Sequence, residues 1–297
     1  MPLDAGVAVP ARSMPNPDHA RHSGRSMSFW LAAAACVATN VSFAQDLRVL
    51  TRISLQLPQD GRWQPLSRSL TLFHGGKVYD HVEEIGEVVI HEPRESQFVI
   101  LSLTGNKMAS RVRYEELVRF LEMFSAETAK YLEELNSAPG QNYGNAIQAL
   151  AFQLQPQFAE SFEPSTGQLR LSSRFVIYQA ETASFGRPDV VNQYLEWADW
   201  TARLNYMLNP QPVTPESRIE LNQALRTQQR LPTQVDLTLL IDGESRLKAE
   251  HTFDERLRSL DRDFIAKWEK ARNAKDLRWV PLREYQQIIT ASNRRGR

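Results

Sequence analysis

A ladder of short alternating runs, each closed by a turn signal, constrains this chain more than anything else in it. Within Asp46–Leu57 the residues Leu47, Val49, Thr51, Ile53, Leu55 and Leu57 recur at every second position, the period of a half-buried strand. Pro58-Gln-Asp-Gly61 then turns the chain. In Leu66–His74, Leu66, Arg68, Leu70 and Leu72 alternate with Ser67, Ser69, Thr71 and Phe73. Gly75-Gly76 joins this run to Lys77–Glu83, and two glycines supply the positive φ angles a tight hairpin needs. After Gly86, Glu87–Glu92 and Ser96–Thr104 pair around Pro93-Arg94-Glu95, and Phe98-Val-Ile-Leu101 is the most β-prone run of the chain.

Helical spacing takes over near Arg113. Tyr114, Leu117, Leu121, Phe124, Thr128, Tyr131 and Leu135 fall three or four residues apart, and Pro139-Gly140 ends the pattern. A shorter helix is expected over Tyr143–Gln153, then strands over Gln157–Glu163 and Gln168–Tyr178 around the turn Pro164-Ser-Thr-Gly167. Pro188 opens a helix to Leu208, and Thr214-Pro215-Glu216 is a cap-then-proline start for another, to about Gln229. Val235–Ile241 and Arg246–Phe253 read as a hairpin around Asp242-Gly243. Asp254–Lys275 and Pro281–Ala291 read as helices. Hairpins broken by helical insertions give an α+β order, not a βαβ alternation. The expectation is a curved antiparallel sheet, open or closing into a half-open barrel, covered on one face by helices.

Ahead of the ladder lies an export signal. Arg21, His22 and Arg25 precede an apolar run from Phe29 to Val41, which ends at the small-x-small site Ser42-Phe43-Ala44. The run is shorter than the roughly 20 apolar residues of a spanning helix. Residues 1–44 are therefore expected to be a disordered leader and signal peptide cleaved after Ala44, with residues 45–297 as a single exported domain, periplasmic or secreted. Translation starts at Met1 or at Met27. A lipoprotein tethered at Cys36 is the alternative, although Ala33-Ala34-Ala35 is a poor lead-in to such a cysteine.

Cys36 is the one cysteine of the chain, so residues 45–297 hold no disulfide, catalytic thiol or thiolate metal site. Of the 35 basic and 35 acidic residues, three and two lie in the first 44, which leaves 32 and 33 and a formal charge of −1. That balance argues against nucleic acid or a broad anionic membrane surface as partner. A hydrophobic fraction of 42% is ample for a core.

The hairpin series through Lys77-Val-Tyr79-Asp80, Val88-Val-Ile90-His-Glu-Pro93 and Gln97-Phe-Val-Ile-Leu101, with the late hairpin of Leu231–Leu240 and Leu247–Phe253, resembles the half-open barrel of the outer-membrane lipoprotein-carrier (LolA-like) superfamily. Residues 46–104 and 231–253 carry the likeness, and the helical segment 188–229 is longer than that pattern implies. The resemblance implies an apolar concave face receiving acyl chains, lined by Leu70, Leu72, Val89 and Ile100 together with helix aromatics. Filling of an ordinary core is the competing expectation for the same residues.

Other constellations are sparse. His74, His81, His91 and His251 are expected as surface or hairpin-edge histidines, and strand parity puts Asp80 and His81 on opposite faces, so no metal site is expected. Glu196 and Asp199 share a helix face beside Trp197 and Trp200, with Arg203 one turn on. An Asp199–Arg203 ion pair is the plain expectation, and a hydrolase built on the two carboxylates the sharper one. Trp197 and Trp200 are a candidate ligand-contacting surface. No nucleophile elbow, phosphate loop or dinucleotide motif occurs. The sequence thus points to a monomeric, exported envelope protein without enzyme activity or cofactor, binding a lipid or lipoprotein acyl chain. An envelope protein partner met through the sheet edge or the 194–206 helix is the alternative.

Overall fold

The structure, a computed structural model, describes residues 46–103, 107–137, 144–210, 213–241 and 243–295, so the leader, its cleavage point and Cys36 lie outside the described residues. Strands β1 (Leu47–Gln56), β2 (Trp63–His74), β3 (Lys77–Val82), β4 (Glu87–Glu92), β5 (Gln97–Ser102) and β6 (Met108–Arg113) come first. Helices α1 (Tyr114–Ser137) and α2 (Gly144–Leu154) follow, then β7 (Ala159–Glu163), β8 (Gln168–Ser172) and β9 (Val176–Ser184). Helices α3 (Pro188–Leu208) and α4 (Pro215–Gln228) precede the hairpin β10 (Arg230–Leu239) and β11 (Ser245–Asp254). The chain ends in α5 (Ser259–Arg272), β12 (Arg278–Trp279) and α6 (Leu282–Arg295).

All twelve strands join one sheet in the order β12-β6-β5-β4-β3-β2-β1-β11-β10-β9-β8-β7. Every pairing is antiparallel except β12 on β6. The sheet is open: its edge strands, β12 and β7, do not pair with each other. This is the expected α+β class, in its open form.

Register assigns each side chain to a face, because paired residues point the same way. Leu47, Phe73, Val78, His91, Phe98 and Val112 form one row across β1 to β6. On this face Phe73 and Val78 pack against Val190, Tyr194 and Leu195 of α3, Leu221 and Leu225 of α4 and Phe152 of α2. Further along, Phe98 and Ile100 pack against Leu117 of α1, Leu204 of α3 and Tyr285 of α6. The opposite face carries Leu72, Tyr79, Ile90 and Val99, again one row, buried under Ile265 and Trp268 of α5. Five helices therefore cover one face, and α5 alone covers part of the other. The remaining half of the α5 face, from β1 to β7, presents residues such as Arg52, Glu250, Glu181 and Arg170 to solvent, as an antiparallel sheet with one wet face does.

The glycine turn forms as expected, with φ of 60° at Gly75 and 80° at Gly76. Four features depart from the sequence expectation. Met108–Arg113 is a strand, and it gives way to α1 where the exposed Glu116 reaches back to accept the Arg113 backbone N–H at 2.8 Å. Gln168–Tyr178 is two strands, because the Ser173 hydroxyl accepts the N–H groups of Phe175 and Val176 and folds a local turn. Helix α5 starts at Ser259, since β11 continues to Asp254 opposite Arg48. Thr214 does not cap α4 with its side chain; its hydroxyl donates to the Gln153 carbonyl at 2.9 Å and ties α4 to α2.

Gly167 has φ of 72°, and a Cβ there would lie 2.6 Å from the Thr182 carbonyl oxygen and 2.5 Å from the Arg230 guanidinium. At Gly75 a Cβ would meet nothing within 4 Å. Urea unfolding of Gly75→Ala is expected to show a loss of about 1 kcal/mol, from the left-handed backbone alone. Gly167→Ala is expected to lose about 2–3 kcal/mol, because overpacking against backbone adds to the strain.

Candidate functional site

Helix α5 is held across the sheet by charges that are buried with it. Near its start Asp261 pairs with Arg48 of β1 at 3.2 Å, their side chains 3% and 9% exposed. Near its end Glu269 accepts from Lys77 at 2.7 Å and from the Tyr79 hydroxyl at 2.8 Å. Glu92 of β4 lies at the centre of that cluster, taking Lys77 at 3.0 Å, Arg272 at 2.5 and 2.8 Å and Gln97 at 2.8 Å. Burial pushes the Tyr79 phenol far up, helped by the hydrogen bond to Glu269. Every charge here has a partner, so the cluster pins the helix and presents no free group for chemistry.

Beside the pinned helix runs a groove of about 550 Å³ along β1, β2, β3 and β11. Its floor is one cross-strand row, His81–Leu70–Leu50–Thr252, walled by Phe264 of α5. Leu50 is 40% exposed and Leu70 half-buried. His81 packs tilted against Trp268 with centroids 5.5 Å apart, and burial lowers its pKa from the ordinary value. Phe264 stacks on the same tryptophan at 5.6 Å, so wall and floor share one support. The next row is charged: Arg68, Arg52 and Glu250 in register on β2, β1 and β11. Arg68 reaches Glu83 and Glu84, both at 3.2 Å. The trough thus sets two leucines beside a row of two guanidiniums and one carboxylate.

The strand residues expected to line one cavity divide between the two faces. Leu70 and Leu72 lie on the α5 side, Leu70 in the groove and Leu72 fully buried beneath α5. Val89 and Ile100 pair with each other on the opposite side, with Ile100 fully buried among α1, α3 and α6. Period-2 alternation forces this, because Leu72 shares its row with Ile90, the neighbour of Val89. Trp197 packs edge-on against Phe73 at 5.7 Å, and Trp200 stacks on Tyr114 at 3.6 Å with the Arg203 guanidinium 5.1 Å from its ring centroid. Both tryptophans are committed to the helix-covered face.

The charged motif of α3 is arranged differently from the expectation. Asp199 binds Arg226 at 2.7 Å and Asn222 at 2.7 Å on α4, while Arg203 is occupied with Trp200. Glu196 is exposed. The two carboxylates are thus apart in role, one a helix-to-helix clamp and one in solvent. Among the histidines, His81 and Asp80 do lie on opposite faces, Asp80 accepting from the Thr71 hydroxyl at 2.7 Å. His91 is an interior residue, not an edge one: it is 2% exposed, stacked on Phe98 and hydrogen-bonded to the Tyr114 hydroxyl. His251 is likewise packed, bonded to Thr51 at 3.0 Å. Among the described residues no group of three or more His, Cys, Asp or Glu could hold a metal, and no helix is long and apolar enough to cross a membrane.

Leu50 and Arg52 escaped the sequence reading. Leu50 was the one signal: an isolated leucine on the polar side of an otherwise regular strand.

No protein-family model and no curated protein matches this chain. Among solved structures, one of PNGF-II aligns over 83% of this chain at 10% identity with a TM-score of 0.32. The match covers 33% of that chain, so this chain spans about one third of the length of the structure it resembles.

Proposed function

We propose that this chain is an exported envelope protein that binds an amphiphile, chain and anionic head together, without catalysing a reaction on it. The observation that carries the reading is the pairing of the two floor leucines, exposed Leu50 and half-buried Leu70, with a guanidinium row, Arg52 and Arg68, along one groove. Arg68 already meets Glu83 and Glu84, whereas Arg52 forms no ion pair with a described residue, so an anionic head has a guanidinium to bind at Arg52. The signal-like leader and the lack of recognised catalytic motifs support the same reading. The site lies on the α5 face, so of the residues implied by the carrier resemblance only Leu70 belongs to it.

Each buried methylene of a bound chain is worth about 0.8 kcal/mol, so the floor should dominate affinity. Titration of residues 45–297 with laurate, followed by calorimetry, is expected to give saturable binding that Leu50→Glu weakens about tenfold or more. Leu50 is well exposed, so the variant should melt with the wild type. A wild-type protein that takes up no laurate, or a Leu50→Glu variant that binds as well as wild type, would contradict the assignment.

A further inference from the structure

The charged row beside the groove is dipolar. Arg52 has Arg68 across from it on β2 and Glu250 across from it on β11. Directly opposed residues have Cβ atoms about 5 Å apart, close enough to interact, yet Arg52 and Glu250 form no ion pair with each other or with any other described residue. Arg68 already shares its charge with Glu83 and Glu84. The groove's rim therefore offers a cation and a carboxylate side by side on neighbouring strands, both exposed and not joined in an ion pair, immediately beside the Leu50–Leu70 floor.

Resting on the amphiphile reading, we infer that the head group is zwitterionic, a phosphate ester carrying a primary amine, on a single acyl chain. Its phosphate sits at Arg52, and its ammonium donates to Glu250. The spacing is suitable: adjacent strands lie about 4.8 Å apart, and only an O–CH2–CH2 bridge separates phosphate from nitrogen in a phosphoethanolamine. A purely anionic head of the same size would place a neutral or negative group against Glu250, leaving the carboxylate unpaired or repelled. The single apolar row admits one chain along its length, with Phe264 as its wall.

The test compares lysophosphatidylethanolamine with lysophosphatidylglycerol of the same acyl length, below their micelle concentrations, on residues 45–297. The two share chain, phosphate and the charge on it, and differ in an aminoethyl against a dihydroxypropyl substituent. An exposed ion pair is worth up to about 1 kcal/mol, or roughly fivefold in affinity. Wild type is expected to bind the ethanolamine lipid about fivefold more tightly. Glu250→Gln should bring the two lipids level by weakening the ethanolamine lipid alone, and Arg52→Gln should weaken both. Equal binding of the two lipids by wild type, or a preference that survives Glu250→Gln, would overturn the head-group assignment and leave the groove standing. Failure of both lipids to bind would overturn the groove itself.

Discussion

Glu92→Ala is expected to destabilise the protein by about 3–5 kcal/mol, the cost of removing one member of a buried ion pair. The Glu92 side chain is 2% exposed and takes hydrogen bonds from Lys77, Arg272 and Gln97. Burial by itself would raise its pKa, but those donors outweigh burial and hold the carboxyl below the ordinary range. Without it, Arg272 keeps only a 3.7 Å approach to Glu269, and Lys77 keeps Glu269 alone. Two cations would then share one carboxylate in a poorly solvated place. Glu92→Gln, which preserves shape and an acceptor, should cost less than Glu92→Ala, and the difference reports the charge. Because Glu92 joins β4 to α5, the loss should be visible as early exchange of the α5 amides as well as a lower urea midpoint. A Glu92→Ala protein within about 1 kcal/mol of wild type would mean that α5 is held by apolar contact alone.

The second large effect is on acid stability. Burial lowers the pKa of His91 to about 4 and of His251 to about 3. In each ring one nitrogen is bonded, to Tyr114 or Thr51, and the other, Nδ1 of His91 or Nε2 of His251, is buried with no partner. An imidazolium carries a proton on both nitrogens, so charging either ring would leave a buried N–H without an acceptor. The unfolded chain protonates both near pH 6.5, so below that pH it binds more protons than the folded one. Stability from the two rings is thus fully present above pH 6.5 and is lost as pH falls toward 4 for His91 and 3 for His251. At about 1.4 kcal/mol per unit for each ring, the two together should remove about 3–4 kcal/mol between pH 7.5 and 5. Asp80 and Glu87, whose pKa values burial raises, act in the opposite direction. The histidine part is therefore read as a difference: the urea midpoint of His91→Gln/His251→Gln should vary much less steeply over that range than wild type. Parallel pH profiles would mean both rings titrate normally in the folded protein.

How much of this was legible beforehand follows locality. Strands β1 to β5 and the Gly75-Gly76 turn could be read because their alternation and turn chemistry are contained within a few residues of each other. Helix α3 was bounded to the residue, since Pro188 and Asn209-Pro210 punctuate it from both ends. Strand β6 was lost because Ser110 and Arg111 interrupt its apolar character, and β12 because two residues carry no period. The division of Leu72 from Ile100 was available from parity once the hairpin registers were written out, yet parity cannot tell which face helices will cover. The groove needed two long-range facts. One is that β11 pairs with β1, nearly 200 residues away; the other is that α5 crosses to the face opposite the other helices. Buried charge was the reason the second was obscure. Lys77, Glu92, Glu269 and Arg272 look like solvated residues in sequence, and only the fold shows that they meet one another under the helix.

The most direct test of the groove is methyl NMR of residues 45–297 titrated with a spin-labelled fatty acid. The label broadens methyl signals within its reach. Preferential broadening of Leu50 and Leu70, with Val89 and Ile100 unaffected, is the expected result, because the latter pair lies on the far side of the sheet. Broadening centred on Val89 and Ile100 would place the ligand under the helix-covered face, and broadening of no methyl at saturating label would mean that the groove binds no acyl chain.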